Sequence, residues 1–157
     1  MIMDSLSEQE YRLEELLPLI QEALDAGKQV KFSPRGTSML PMLRQGIDHV
    51  VLSPLPHKLT KYDLPLYQRK DGQFVLHRVI KVGETYACIG DNQFVVEHGL
   101  KHEQMIGLVT AFYRDKKLIQ VTSFRYRIYC LIWHYSRPMR YFYQRSIGWL
   151  RKHITKV

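Results

Sequence analysis

A mainly β, α+β fold is predicted by three features of the chain. Short runs of alternating apolar and polar residues follow one another through its middle, tight-turn signals separate them, and helical spacing is confined to the two ends. Many short strands without intervening helices imply a folded antiparallel sheet. Residues 5–26 read as an amphipathic helix, with Ser5 or Ser7 as N-cap, Glu8 and Glu10 in the first turn, and Leu13, Leu16, Leu17, Ile20 and Leu24 at helical intervals. Gly27 ends it, and Pro18 is expected to kink or split it. Strands are predicted at 29–33, 48–53, 64–69, 74–82, 85–89, 105–113 and 117–121. Lys70-Asp71-Gly72-Gln73 reads as a hairpin tip and Arg114-Asp115-Lys116 as a second turn. The end of the chain reads as one or two helices broken at Pro138. Three parts follow: an N-terminal helix at 1–27, a β domain at 28–122, and a basic, aromatic helical tail at 123–157.

Composition narrows the class. The 157 residues suit one core domain with appendages, and 45% hydrophobic with 24% charged residues is a globular balance. No apolar run approaches the roughly 18 residues of a membrane span, and the acidic first 15 residues lack the order of a secretory signal. A cytoplasmic chain is therefore expected. Cys88 and Cys130 form neither a disulfide framework nor a zinc knuckle, and free buried thiols are expected. The net charge of +8 is unevenly placed: Arg125, Arg127, Arg137, Arg140, Arg145, Arg151, Lys152 and Lys156 lie after residue 122, where no Asp or Glu occurs. That segment is expected to have an anionic partner.

Three segments supply groups for nucleophilic catalysis: Gly36-Thr37-Ser38-Met39-Leu40-Pro41, Leu76-His77-Arg78-Val79-Ile80 and Gly90-Asp91-Asn92. A serine hydroxyl needs a base in contact, usually a histidine oriented by a carboxylate. A glycine two residues before the serine lets the backbone turn and aim N–H groups at a developing oxyanion. Each residue alone also has a plain reading: Ser38 as a loop serine or helix cap, His77 as a structural strand histidine, Gly90-Asp91-Asn92 as a turn.

Taken together, these boxes resemble the superfamily that joins type I signal peptidases to the self-cleaving SOS repressors, in its Ser-His branch. Gly36 to Pro41 match its G-x-S-M-x-P nucleophile box. Gly46-Ile47-Asp48-His49-Val50-Val51 match its G-D-x-V strand with one residue inserted, and Tyr62-Asp63-Leu64-Pro65-Leu66 echo a second such strand. His77-Arg78-Val79 match H-R-V, Gly90-Asp91-Asn92 match G-D-N, and Ile106-Gly107-Leu108-Val109 match a closing I-G-x-V. The resemblance implies a serine peptidase in which Ser38 attacks a peptide carbonyl, His77 serves as general base, and Asp91 orients His77. Arg78 and Asn92 would support the site, and Gly36, Thr37, Met39 and Pro41 would shape the nucleophile box. The Ser38 N–H would stabilise the oxyanion. Gly36 stands where some signal peptidases place an oxyanion-hole hydroxyl, leaving Thr37 or Arg35 as substitutes. A lysine base is disfavoured because His77 occupies its place. No cofactor is implied. Without the membrane span of signal peptidases, the expected substrate is a leader-bearing precursor peptide met on the cytoplasmic side.

Rival features remain. His98 and His102, four apart among Glu97 and Glu103, have the spacing of a helical zinc pair, but Gly99 weakens the helix and a solvated loop is the favoured reading; no metal is expected. The tail admits three readings: an interfacial helix pair on the inner membrane face, a nucleic-acid arm as the least favoured, or aromatics packed over the sheet. Two other functions are open beside the peptidase, namely a non-catalytic module gripping an extended peptide by strand addition, and a basic nucleic-acid-binding regulator.

Overall fold

A computed structural model describes residues 13–154, with side chains for 16–147. Ser5, Ser7, Glu8 and Glu10 of the expected first helix lie outside the described residues, as do Lys156 and the last residues of the tail. The described chain is α+β and mostly β, with antiparallel pairing throughout. Helix α1 (Leu13–Asp25) leads into β1 (Val30–Phe32), β2 (His49–Ser53), β3 (Pro65–Gln68), β4 (Phe74–Leu76), β5 (Arg78–Val82), β6 (Tyr86–Ile89), β7 (Glu97–Leu100), β8 (Met105–Arg114) and β9 (Lys117–Gln120). Helices α2 (Phe124–Tyr135) and α3 (Arg137–Ile154) close the chain.

The larger sheet runs β1-β2-β8-β3-β4, with β9 also on β8; the smaller runs β5-β6-β7. One predicted strand, 74–82, is two: β4 pairs with β3 in the larger sheet, β5 with β6 in the smaller, and His77 is the residue between them. Continuous strand propensity hid a change of partner. The predicted turns are present. Arg69 and Gln73 close the β3–β4 tip, with Gly72 at φ +88°, and Asp115 and Lys116 take the left-handed angles of a two-residue hairpin.

Pro18 does not split α1. It lies on the exposed side, while Ile20 and Leu24 bury the opposite side and hold the helix to the sheet. At its end Lys28 N–H donates to the Ala23 carbonyl and Gly27 N–H to that of Leu24, a Schellman closure with Gly27 at φ +73°. The helix comes so close to β8 that a Cβ on Gly107 would lie 3.0 Å from Leu24 Cδ1 and 2.8 Å from Leu52 Cγ.

Asp48, fully buried, accepts from the Arg44 backbone N–H and guanidinium and locks the turn leading into β2. Helix α2 is capped by Ser123 and buries Tyr126 and Cys130 in the main core, so part of the tail is core. The helices break at Ser136, and Pro138 falls in the first turn of α3, where its missing N–H costs nothing. Both cysteines are free and buried. Among the described residues no helix is long and apolar enough to cross a membrane.

The Gly107 contact gives a first expectation. Gly107→Ala must push Leu24 or Leu52 aside and should destabilise the fold by about 1–3 kcal/mol, measured by urea unfolding.

Candidate functional site

Ser38 sits in a turn fixed from below by Met39, Met42 and Leu43, all buried in the main core. Gly36, at φ +89°, gives its N–H to Gln45 Oε1 at 2.9 Å. Pro41 is exposed, and its carbonyl accepts from Arg114. From the other side the G-D-N turn grips the box: Asn92 N–H donates to the Ser38 carbonyl at 2.8 Å and Asn92 Nδ2 to the Thr37 carbonyl at 3.2 Å. A Cβ on Gly90 would lie 2.6 Å from the Ser38 carbonyl oxygen, so glycine is required there by close approach alone.

The same turn reaches the histidine. Arg78 pairs with Ile89 across β5 and β6 and holds Asp91 of the turn through its side chain, so the turn that grips Ser38 is also tied to the neighbour of His77. Ser38 Oγ makes no hydrogen bond to His77 among the described contacts, so the structure brings the two segments together without joining the two side chains.

Strand alternation then separates the H-R pair. Neighbouring residues of a strand face opposite sides. His77 and Val79 point toward the core beneath the smaller sheet, and Arg78 points toward α2. Cross-strand partners share a face, and Val79, Cys88 and Glu97 form one row through β5, β6 and β7. Glu97 thus arrives beside His77, its Oε1 3.0 Å from Nδ1. The Tyr67 hydroxyl lies 3.1 Å from the same nitrogen.

The expected partnership of Asp91 with His77 is therefore corrected. The carboxylate at His77 is Glu97, while Asp91 takes both Arg78 Nε at 2.8 Å and Nη2 at 2.7 Å, plus the Tyr129 hydroxyl at 3.1 Å. Arg78 is buried, with further contacts to the Tyr126 hydroxyl and Cys130 Sγ. Trp133 Nε1 and Arg140 donate to the Asp91 carbonyl.

Electrostatics give each group a state. Burial works to raise the Glu97 carboxyl, but hydrogen bonds from Arg69 and Tyr67 and the nearby His77 outweigh it and hold the group ionised, below its ordinary value. An ionised carboxylate only accepts, so the His77 proton belongs on Nδ1, leaving Nε2 with its lone pair. Burial, His77 being 1% exposed, lowers the imidazole to about 4 against the opposing pull of Glu97. The ring is neutral at neutral pH and in the tautomer a base requires. Tyr67 is held protonated by burial and by Glu97.

Glu97, Arg69 and Tyr67 escaped the sequence reading. Residues 97–103 looked like a solvated loop, yet 97–100 is β7. The cross-strand partner of Cys88 was the signal, and it exists only once the register is known. The remaining histidines do not gather: His102 Nδ1 meets the Tyr86 hydroxyl, and no group of three or more His, Cys, Asp or Glu able to hold a metal ion occurs among the described residues.

Comparison with protein-family models, curated proteins and solved structures returned no match.

Two expectations follow from the two carboxylates. Asp91→Ala strands a buried guanidinium and should cost about 3–5 kcal/mol in urea unfolding, whereas Glu97→Gln keeps the volume and should cost distinctly less. His77 titrates near 4 when folded and near 6.5 unfolded, so its contribution is complete above pH 6.5 and is lost as pH falls from there to about 4. Stability over that interval should fall less steeply in His77→Gln than in wild type, by on the order of 3 kcal/mol in all.

Proposed function

We propose that the chain is a serine endopeptidase of the signal-peptidase type, processing a leader or precursor peptide. One observation supports the reading: a histidine whose Nδ1 faces an ionised carboxylate at 3.0 Å immediately precedes β5, and the strand paired with β5 leads into the turn that clamps a G-x-S-M-x-P serine by its carbonyl. That combination has the parts of acyl-transfer chemistry, and neither burial nor strand formation requires it.

In this reading Ser38 Oγ attacks the scissile carbonyl carbon as its proton passes to His77 Nε2. The tetrahedral intermediate collapses, breaking the C–N bond, and Nε2 returns the proton to the departing amine. Water then attacks the acyl carbon, giving a proton to Nε2; collapse breaks the bond to Ser38 Oγ, Nε2 returns that proton to Oγ, and the acid product leaves. Glu97 and Tyr67 keep the ring in its tautomer and Glu97 stabilises the imidazolium; Asp91 acts on stability, through Arg78. The Ser38 N–H is the oxyanion donor. Substrate must draw Ser38 Oγ onto Nε2, a contact that in other enzymes often tightens only in the Michaelis complex. The proposed setting is the cytoplasm, at the inner membrane face.

A peptide mixture incubated with the protein and read by mass spectrometry should show new termini that Ser38→Ala and His77→Ala abolish. Glu97→Gln should lower kcat by roughly 10² or more, by analogy with orienting carboxylates elsewhere. The acid limb of kcat/KM should lie near pH 4, the His77 value, and not near 6.5. Cleavage that survives Ser38→Ala would refute the assignment. The open Ser38–His77 pair favours one second reading, a module that binds an extended peptide without cutting it; wild type that binds peptides and never cleaves them would establish that reading instead.

A further inference from the structure

Helix α2 is apolar on two sides. Tyr126 and Cys130 face the core, yet Phe124, Ile128, Leu131, Ile132 and Tyr135 recur at i, i+4, i+7, i+8 and i+11 on the opposite side, and all are exposed. Phe124 is 77% exposed and Ile132 62%. Arg125 and Arg127 stand one on each flank of that stripe by helical spacing, and both are exposed. Past the break, α3 leaves Met139, Phe142 and Tyr143 in solvent at i, i+3 and i+4, with Phe142 67% exposed. A folded chain rarely leaves an apolar stripe such as that of α2 uncovered without an occupant.

We propose that the outer faces of α2 and α3 seat the protein on an anionic lipid bilayer, the helices lying in the interface with Phe124, Ile132 and Phe142 inserted and arginines meeting the headgroups. Charge selects this occupant. Residues 123–157 hold no Asp or Glu, and Arg125, Arg127 and Arg145 are exposed there while Arg140 turns in to Asp91, so a second copy docked face to face would oppose like charges with no counter-charge. Nucleic acid suits the arginines but not the stripe, because Ile128, Leu131 and Ile132 offer no ring on which a base could stack. An anionic bilayer satisfies both: apolar side chains enter the acyl boundary and cations neutralise headgroups. The inference is independent of the peptidase reading, since it uses no residue of the Ser38 site.

Co-sedimentation of the full chain with phosphatidylglycerol/phosphatidylcholine vesicles tests it, beside pure phosphatidylcholine vesicles. Wild type should partition at least tenfold more strongly to the anionic vesicles. Ile132→Glu combined with Phe142→Glu should reduce that partition at least tenfold while leaving the thermal unfolding midpoint unchanged, since both positions are exposed. The proposal is overturned if wild type stays in the supernatant, if it binds neutral vesicles equally, or if the double variant sediments as wild type does. It is overturned also if wild type without lipid is a dimer that the double variant splits, for then a second copy covers the face.

Discussion

A single buried cation organises this molecule. Arg78 has almost no contact with solvent, and a guanidinium cannot escape the cost of burial by losing its proton. Its surroundings must therefore supply a counter-charge and acceptors in a fixed planar array. Asp91 provides the bidentate pair, Tyr126 a hydroxyl and the Tyr62 carbonyl another oxygen, so a strand, a turn, a loop and a helix converge on one group. The placement of α2 follows from this, and so does that of the 90–92 turn. Since that turn holds the Ser38 carbonyl, the position of the serine is set by a charge on the far side of the smaller sheet.

The division of the two carboxylates between His77 and Arg78 follows from the pleat. His77 and Arg78 are adjacent, so they must point apart, and each finds a carboxylate on its own side. Asp91 on the α2 side neutralises a permanent cation, and Glu97 on the core side orients a ring that stays neutral. Neither carboxylate can replace the other, because a sheet lies between them. The neutral state of His77 is itself a product of this arrangement: burial beside Tyr67 disfavours the charged ring, and one carboxylate is not enough to reverse that.

The sequence was informative wherever the signal was local. Alternation located most strands, Gly72 marked the hairpin tip and Gly27 the helix end, and the break between the two last helices fell at Ser136, two residues before Pro138. The serine, histidine and G-D-N boxes stand close in space, although the last contributes backbone contacts to Ser38 while its carboxylate turns to Arg78. What could not be read depended on pairing between distant strands. The change of sheet at His77 leaves no mark in a run of β-formers, and Glu97 lies in a short strand whose Gly99 and flanking charges mimic a loop. The tail was ambiguous for a physical reason also: α2 has apolar residues on both faces, so spacing alone could not say which side met the sheet.

The crossing between sheets at one residue bears on which changes of length the chain can absorb. Adding a residue between 74 and 77 would move the H-R pair on by one place, turning the imidazole to Asp91 and the guanidinium to the core, whereas β5 past Val79 already carries an irregularity in its pairing. No sequence of small adjustments connects those two arrangements. The stretch from Phe74 to Arg78 can vary in residue type but not in residue count, whereas the tip at 70–73, a few residues upstream and open to solvent, can lengthen freely. Insertions in related chains should therefore collect at the tip and be missing from the segment that follows it.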